Sequence, residues 1–241
     1  MNSKMYLYKR FVIPFWSNEL NLHPPPIELV AFNPRQTLKL MKHPLIKSFQ
    51  KYIMHEFTPK KKYKIALIMP CDAYKPYTHD KTKSKLYKEV YKLTKGKDIH
   101  IITLSDPLGV QPQEFHDFIF DGQRIFYDNI GLFKTFNKFL NIEWDEENYN
   151  KCIKILTDWV SSYFIRNRNY YEKIVALCMK GRPEFDVINL ANKTLNNKII
   201  VLPTFVIKEN FSAIDDFFQN NQHIYIKKEV MDELKEVCSN L

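Results

Sequence analysis

Glycine is scarce in this chain, with only 5 among 241 residues. Neither GxGxxG nor GxxxxGK[ST] occurs, so the glycine-rich loops that cradle nucleotide phosphates are absent. The 4 cysteines form no CxxC pair, and their spacing fits neither a zinc site nor a disulfide framework. We therefore expect neither a nucleotide nor a metal cofactor, and thiols kept reduced in the cytoplasm.

Long apolar runs are also missing. No stretch approaches the roughly 20 apolar residues of a membrane-spanning helix. The first residues, MNSKMYLYKRFVIPFW, are too polar and too aromatic for a signal peptide. We expect a cytoplasmic protein that makes no use of a membrane.

Basic residues exceed acidic ones and give a net charge of +9. They are densest at Lys60, Lys61 and Lys62. Such an excess favours an anionic partner, most commonly nucleic acid. The alternative is a lysine-rich surface in the proteome of an A+T-rich genome.

Apolar runs alternate with helical patterns from residue 61 onwards. The runs at 63–69, 98–105, 173–179 and 198–205 predict strands, and helices are predicted at 84–95, 145–171, 183–195, 211–220 and 227–238. This alternation indicates an α/β three-layer sandwich around a small parallel sheet. We expect residues 61–241 to form this core domain, with residues 1–60 as a Pro-rich and helical segment packed on it.

The carboxyl ends of the predicted strands carry candidate site residues, because ligands of parallel sheets bind beyond those ends. Pro70 ends the first strand, Cys71 follows, and Lys75 lies four residues on. A thiolate beside a lysine suits addition to an electrophilic carbon. The alternative is a buried structural thiol with Lys75 in solvent.

The second strand ends in LSDPLGVQPQEF. Here Ser105 and Asp106 close the strand, Gly109 would allow a ligand close to the backbone, and Glu114 begins the next element. By itself the stretch is equally typical of an ordinary turn.

Together the two stretches, PCxxxKPY and SDPLGVxPxE, resemble the core domain of archaeosine synthase. This archaeal tRNA-modifying family was once described as a second tRNA-guanine transglycosylase. Asp80 and Lys83 stand where the family has serine and histidine, and Gln113 stands where arginine is usual. Tyr127-Asp128 looks like the Tyr-Asp that follows in the family.

The resemblance implies a fold of the uracil-DNA-glycosylase class and a reaction. Family members add free lysine to the nitrile of 7-cyano-7-deazaguanine in the tRNA D-loop, and a radical SAM partner then cleaves the adduct. Full-length members also carry a transglycosylase-like part and a PUA domain. We expect a free-standing or split form, with a partner chain that supplies one of these parts.

On this reading the site residues fall into three sets. Cys71, Lys75 and Asp106 are the expected catalytic residues, and the expected substrate-binding residues are Tyr77, Asp80, Ser105, Gly109 and Glu114. Lys83 is expected to point away from the pocket. The expected tRNA contacts are Lys60, Lys61, Lys62, Arg166, Arg168, Lys180 and Arg182.

Two alternatives remain open from the sequence. The departures at Asp80 and Lys83 motivate a non-catalytic tRNA-binding subunit that kept the fold and lost the reaction. The other alternative is an enzyme of the same fold that acts on a different modified base or on DNA. Arg166 and Arg168 would equally serve the dipole at a helix end.

Overall fold

The computed structural model describes residues 4–16, 24–207, 211–220 and 223–239. Its α-helices are α1 Lys4–Phe11, α2 Pro34–Leu40, α3 Pro44–His55, α4 Lys85–Thr94, α5 Lys134–Phe139, α6 Glu146–Arg166, α7 Pro183–Thr194, α8 Ile214–Asn220 and α9 Lys228–Ser239. Its strands are β1 Val30–Ala31, β2 Tyr63–Pro70, β3 Ile99–Ser105, β4 Gly109–Pro112, β5 Ile119–Phe120, β6 Gln123–Arg124, β7 Asp128–Asn129, β8 Tyr171–Leu177 and β9 Ile199–Leu202.

The central sheet has the strand order β4-β3-β2-β8-β9. β2, β3, β8 and β9 are parallel, and β2 is apolar on both faces because helices cover both. In the strand order, β3 lies on one side of β2, and β9 lies on the opposite side of β8, so the two crossovers run in opposite directions across the sheet. Right-handed crossovers therefore place α4 and α7 on opposite faces. The predicted α/β class is confirmed.

The all-parallel sheet predicted from the sequence is wrong at one edge. β4 pairs antiparallel with β3, in the register Ser105 to Gly109. Gly109 adopts a φ of +69°, a conformation that glycine reaches without steric penalty, and the chain turns straight back along β3. The stretch predicted to be a turn is thus a hairpin with a short return strand.

Several helices begin where the sequence supplies a capping side chain. The Asn33 side chain accepts a hydrogen bond from the Gln36 amide at the start of α2, and Pro34 occupies the first turn. Ser84 caps α4 and Asp145 caps α6 in the same way. α6 ends at Arg166 instead of continuing to residue 171, because one 3₁₀ turn and then β8 follow.

Helices lie on both faces of the sheet. α6 contacts α2, α3 and α7 on one side. On the other side, Lys97 Nζ beyond α4 donates to Ser239 Oγ at the end of α9, over 3.3 Å. No helix among the described residues combines the length and the apolarity needed to cross a bilayer.

A second, smaller core joins the two ends of the chain. Leu7 and Phe11 of α1 pack with Phe136 of α5 and Phe217 of α8. Phe11 and Phe217 of this cluster also line the site described next.

Candidate functional site

A pocket of about 440 Å³ opens beyond the carboxyl end of β2. Its polar side comes from the loop that follows β2, from the start of α4 and from β7, and its apolar side comes from the second core. The lining residues are Phe11, Cys71, Asp72, Ala73, Tyr74, Lys75, Lys83, Lys85, Asp128, Asn129, Ile130, Phe133, Phe217 and His223.

Cys71 is held at this pocket by an extension of the sheet. Its amide donates to the Leu104 carbonyl over 3.2 Å, one residue beyond the end of β2. Burial raises the pKa of the Cys71 thiol, the charge of Asp106 raises it further, and Lys75 lowers it by a smaller amount. Lys75 therefore acts in the predicted direction, but burial and Asp106 outweigh it, and the resting thiol is protonated.

Lys75 is buried and does not lie in solvent. Its Nζ donates to the Asp72 carbonyl over 3.2 Å and lies 3.8 Å from Asp128 Oδ1. It also stands 5.1 Å from the centre of the Tyr127 ring, where the ring attracts a cation. These contacts fix a positive charge on the pocket wall, directly beside a carboxylate.

Asp106 lies behind the pocket and connects to it through Asn129. The Asn129 amide donates to Asp106 Oδ2 over 3.3 Å, and its own oxygen accepts from Thr37 Oγ1 over 2.7 Å. Burial raises the pKa of Asp106 to about 7, and the nearby charge of Glu184 adds to the rise. A carboxyl group with such a pKa exchanges protons near neutrality.

Tyr77 is part of the core and does not line the pocket. It is fully buried, and its ring stacks on Tyr87 with centroids 4.4 Å apart. The Tyr77 hydroxyl donates to the Asp72 carbonyl over 2.8 Å and accepts from the Asp72 amide over 3.0 Å. It therefore holds the loop between Cys71 and Lys75 in place, and the prediction that it contacts a base is not met in this structure.

Four other predicted substrate contacts lie elsewhere. Ser105 is buried and hydrogen-bonded to the Tyr127 hydroxyl. Asp80 is exposed and outside the pocket. A Cβ on Gly109 would lie 2.8 Å from Trp159 Cε3, so this glycine serves the packing of β4 on α6.

Glu114 lies furthest from the predicted substrate site, because β4 carries the chain back to the amino edge of the sheet. There Glu114 Oε2 lies 2.9 Å from His100 Nε2. Lys83, by contrast, lines the pocket, so the prediction that it points away is wrong.

The predicted tRNA-contacting residues divide between the two edges. Lys60, Lys61 and Lys62 are exposed just before β2, and Arg166 and Arg168 are exposed just before β8, at the amino edge. Lys61 forms an ion pair with Asp98.

At the carboxyl edge, Lys180 is exposed. Arg182 is only 4% exposed, and its guanidinium lies 5.4 Å from the centre of the Phe133 ring. Arg182 therefore supports the pocket wall, and burial separates it from an RNA backbone.

Sequence reasoning missed much of the pocket wall. Asp128 was signalled by the Tyr127-Asp128 dipeptide, and Lys85 was adjacent to a recognisable helix cap at Ser84. No sequence motif marked Phe11 or Phe217 as a pocket residue, because the two are far apart in the sequence and come together only when the chain folds. Among the described residues, no three His, Cys, Asp or Glu side chains form a group suited to a metal ion.

The fold and the pocket define an α/β protein with a pocket at the carboxyl edge of its sheet, lined by Cys71, Lys75 and Asp128. The chain belongs to the family described as a domain of unknown function, DUF5591, whose model matches residues 46–204. The matched range includes Cys71, Lys75 and Asp128.

Two known proteins are similar to parts of the chain. Archaeosine synthase subunit alpha of Thermococcus kodakarensis is 31% identical over 78 residues, which is 31% of this chain and 14% of that protein. The crystal structure of AF0587, a protein of unknown function, superposes with a TM-score of 0.47 and 17% identity over 79% of this chain and 49% of that one. The chain therefore spans only part of each. The first similarity supports the resemblance to archaeosine synthase, while the free-standing or split form and the uracil-DNA-glycosylase class stay predictions.

Proposed function

We propose that this chain modifies tRNA in the formation of archaeosine, by adding lysine to the nitrile of 7-cyano-7-deazaguanine in the D-loop. One observation carries the proposal: an open pocket places Cys71, Lys75 and Asp128 on its wall, in a chain similar to archaeosine synthase subunit alpha. A scaffold that had lost the reaction would not need to keep this cavity open.

The walls of the pocket suit a flat, polar base. Phe11, Phe133 and Phe217 supply aromatic surface on one side, and unpaired bases stack on such rings. Lys75 and Asp128 supply charge on the other side. The volume of about 440 Å³ falls within the range of roughly 300–1,000 Å³ that is usual for small-molecule pockets.

In the first chemical step we assign Cys71 as the nucleophile and Asp106 as its base. Because the resting thiol is protonated, a carboxylate must take its proton as sulfur attacks the nitrile carbon. A C–S bond forms, a π pair of the nitrile moves to nitrogen, and that nitrogen takes a proton from solvent in the open pocket, while Asp106 behind the wall keeps the proton of the thiol. The ammonium of Lys75 stabilises the negative charge that develops on nitrogen.

In the second step the side-chain amine of free lysine displaces the thiol. Asp128 takes one proton of the incoming ammonium, the C–N bond forms, and the C–S bond breaks as Asp106 returns its proton to the sulfur of Cys71. Asp128 then releases its proton to solvent, and the product is an amidinium. The net reaction adds an amine N–H across the nitrile, and it has no leaving group. A partner with radical SAM chemistry would then cleave the adduct, and a further chain would supply the PUA or transglycosylase-like part.

A second candidate function is a non-catalytic tRNA-binding subunit. The observation that favours it is Lys83, which brings positive charge to the pocket where the family has histidine. Such a charge repels the ammonium of an incoming lysine.

The test is to incubate nitrile-bearing tRNA with free lysine and this protein, and to weigh the tRNA nucleosides by mass spectrometry. We expect a mass gain of one lysine, and without lysine a covalent base–protein adduct at Cys71. Gain without such an adduct would replace the covalent route with direct amine addition. No gain, even with the partner proteins added, would leave the non-catalytic subunit.

A further inference from the structure

A basic stripe runs along one exposed face of α3. Lys47, Lys51 and His55 are four residues apart, so they follow one side of the helix at intervals of about 6 Å. Lys42 continues the stripe just before the helix begins. All four side chains are exposed, and neither α2 nor α3 contains an acidic residue.

These lysines are not engaged in ion pairs. None of Lys42, Lys47 and Lys51 lies within ion-pair distance of a carboxylate in the part of the chain that the structure describes. On the adjoining face of α6, the charge of Asp158 is balanced by Lys154 at 2.9 Å. The stripe therefore keeps its positive charge for an external partner.

The stripe borders a groove of about 500 Å³ between α3 and α6. Met54 and the half-buried Trp159 form part of its floor, and Lys42, Lys47, Lys51 and His55 stand around it. An aromatic surface framed by cations is the arrangement that single-stranded or looped RNA uses for stacking and for phosphate contacts.

The position of α3 links the two edges of the sheet. Gln50 Nε2 in the middle of the helix donates to the Pro107 carbonyl over 2.6 Å, at the carboxyl edge where Cys71 lies. Beyond the last turn, the Phe57 carbonyl accepts from Arg166 Nη1 over 2.6 Å, at the amino edge near Lys60 and Lys62. The stripe therefore runs between the carboxyl edge, where the pocket lies, and the exposed Lys60 and Lys62 at the amino edge.

We infer that Lys42, Lys47, Lys51 and Trp159 form an RNA-binding surface that holds the backbone of the tRNA whose base enters the pocket. The inference rests on the proposed function for the identity of the RNA, but it makes its own claim about a surface away from the reactive groups. An acidic protein helix would be the competing occupant. RNA is favoured because the lysines extend as a line beyond the groove and join the exposed basic residues at the amino edge.

The experiment measures binding of an unmodified tRNA transcript between 50 and 200 mM salt. We compare the wild type with the triple variant Lys42→Gln, Lys47→Gln and Lys51→Gln. Loss of three phosphate contacts should weaken binding at least about tenfold at the lowest salt, and should reduce the slope of log K against log[salt] by roughly 2 to 3.

The matched control is the triple variant Lys193→Gln, Lys198→Gln and Lys228→Gln. It removes the same charge near β9, the outermost strand on the side of the sheet away from β4. All six lysines are exposed, so both variants should fold as the wild type does. An equal loss of affinity in the two variants would reduce the effect to net charge and overturn the inference.

Unchanged tRNA binding by the α3 variant would also overturn the inference that this surface binds RNA. That result is the one expected if the groove binds an acidic protein helix instead. The two proposals fail separately. If the wild type transfers lysine and the α3 variant binds tRNA as tightly as the wild type does, only the proposed RNA-binding surface is rejected. If the α3 variant shows the expected weaker salt dependence of tRNA binding but the wild type transfers no lysine, only the proposed reaction is rejected.

Discussion

The two edges of the central sheet treat their charged side chains differently. At the carboxyl edge, Lys75 and Asp128 face an open pocket. At the amino edge, His100 is fully buried, with Nδ1 2.7 Å from the Tyr171 hydroxyl and Nε2 2.9 Å from Glu114. Tyr63 stacks on the His100 ring, with centroids 4.6 Å apart.

This contrast separates a site from a structural network. The side chains of Tyr171, His100 and Glu114 satisfy one another at the amino edge, so this network leaves nothing for a ligand to complete. His100 also holds the pKa of Glu114 below its usual range, against the opposing effect of burial. At the carboxyl edge, charged groups of both signs border a cavity large enough for a ligand.

The largest effect should come from Cys71→Ala at the carboxyl edge. We expect a loss of turnover of roughly 10²–10⁴, because the attacking sulfur is removed, with little change in the free energy of unfolding. Turnover of nitrile-bearing tRNA and urea unfolding measure the two quantities.

The matched control is Cys178→Ala, in a buried thiol just beyond β8 at the same edge. It should lose about 1 kcal/mol of stability and keep its turnover. Loss of turnover in proportion to stability in both variants would make Cys71 a packing residue.

The second prediction concerns the pH dependence of Asp106, whose native pKa of about 7 lies above the ordinary value of 3.8. The native state binds this proton more tightly than the unfolded state does. The resulting stabilisation is complete below about pH 4 and is lost as pH rises through 7. Asp106→Asn cannot titrate, so from pH 5 to 8 it should gain about 2 to 3 kcal/mol relative to the wild type in urea unfolding.

The stability contributed by His116 changes with pH in the opposite direction, which provides a check on that experiment. Burial lowers its pKa to about 3, so the native imidazole is neutral, and stability falls as pH drops from about 6.5 towards 3. His116→Gln should abolish that acid-side loss. Equal pH profiles of Asp106→Asn and the wild type would show that Asp106 is ionised throughout.

The third prediction tests Gly109 as a packing position. Gly109→Ala adds a Cβ that lies 2.8 Å from Trp159 Cε3 and also strains a φ of +69°. We expect a loss of about 2 to 4 kcal/mol in the free energy of unfolding.

Gly96 has a φ of +74° and nothing within 4 Å of the added carbon. Gly96→Ala should therefore lose only the roughly 1 kcal/mol that comes from backbone strain. Equal losses for the two substitutions would remove the contact with Trp159 as the cause.

The smallest effect on activity should come from Glu114→Gln at the amino edge. Stability should fall by about 1 kcal/mol, since the charge-assisted hydrogen bond to His100 is weakened. Turnover and KM should stay within about twofold of the wild type. A rise in KM without loss of stability would return Glu114 to the substrate site.

The elements that the sequence predicted well were those with a local signal. The apolar runs of β2, β3, β8 and β9 depend on neighbouring residues only. Cys71 and Lys75 were predicted at the pocket because the carboxyl end of a buried strand marks where a site forms.

The misplaced residues depended on information that the chain order does not carry. Tyr77 is only six residues from Cys71, yet its side chain points into the core. Glu114 followed a predicted turn, and the unforeseen return strand β4 moved it to the other edge. The aromatic wall required contacts between α1 and α8, at opposite ends of the sequence.

That wall has a consequence for how the family can diversify. Residues 46–204, which match the family, contain the sulfur, the ammonium and the carboxylates of the pocket, but exclude Phe11, Phe217 and His223. The charged side of the cavity and Phe133 thus lie inside the matched region, while part of the aromatic wall lies in the flanking stretches of the chain. Relatives that share the matched region would be free to change the flanks, and with them the size of the cavity, while keeping Cys71, Lys75 and Asp128 on its wall.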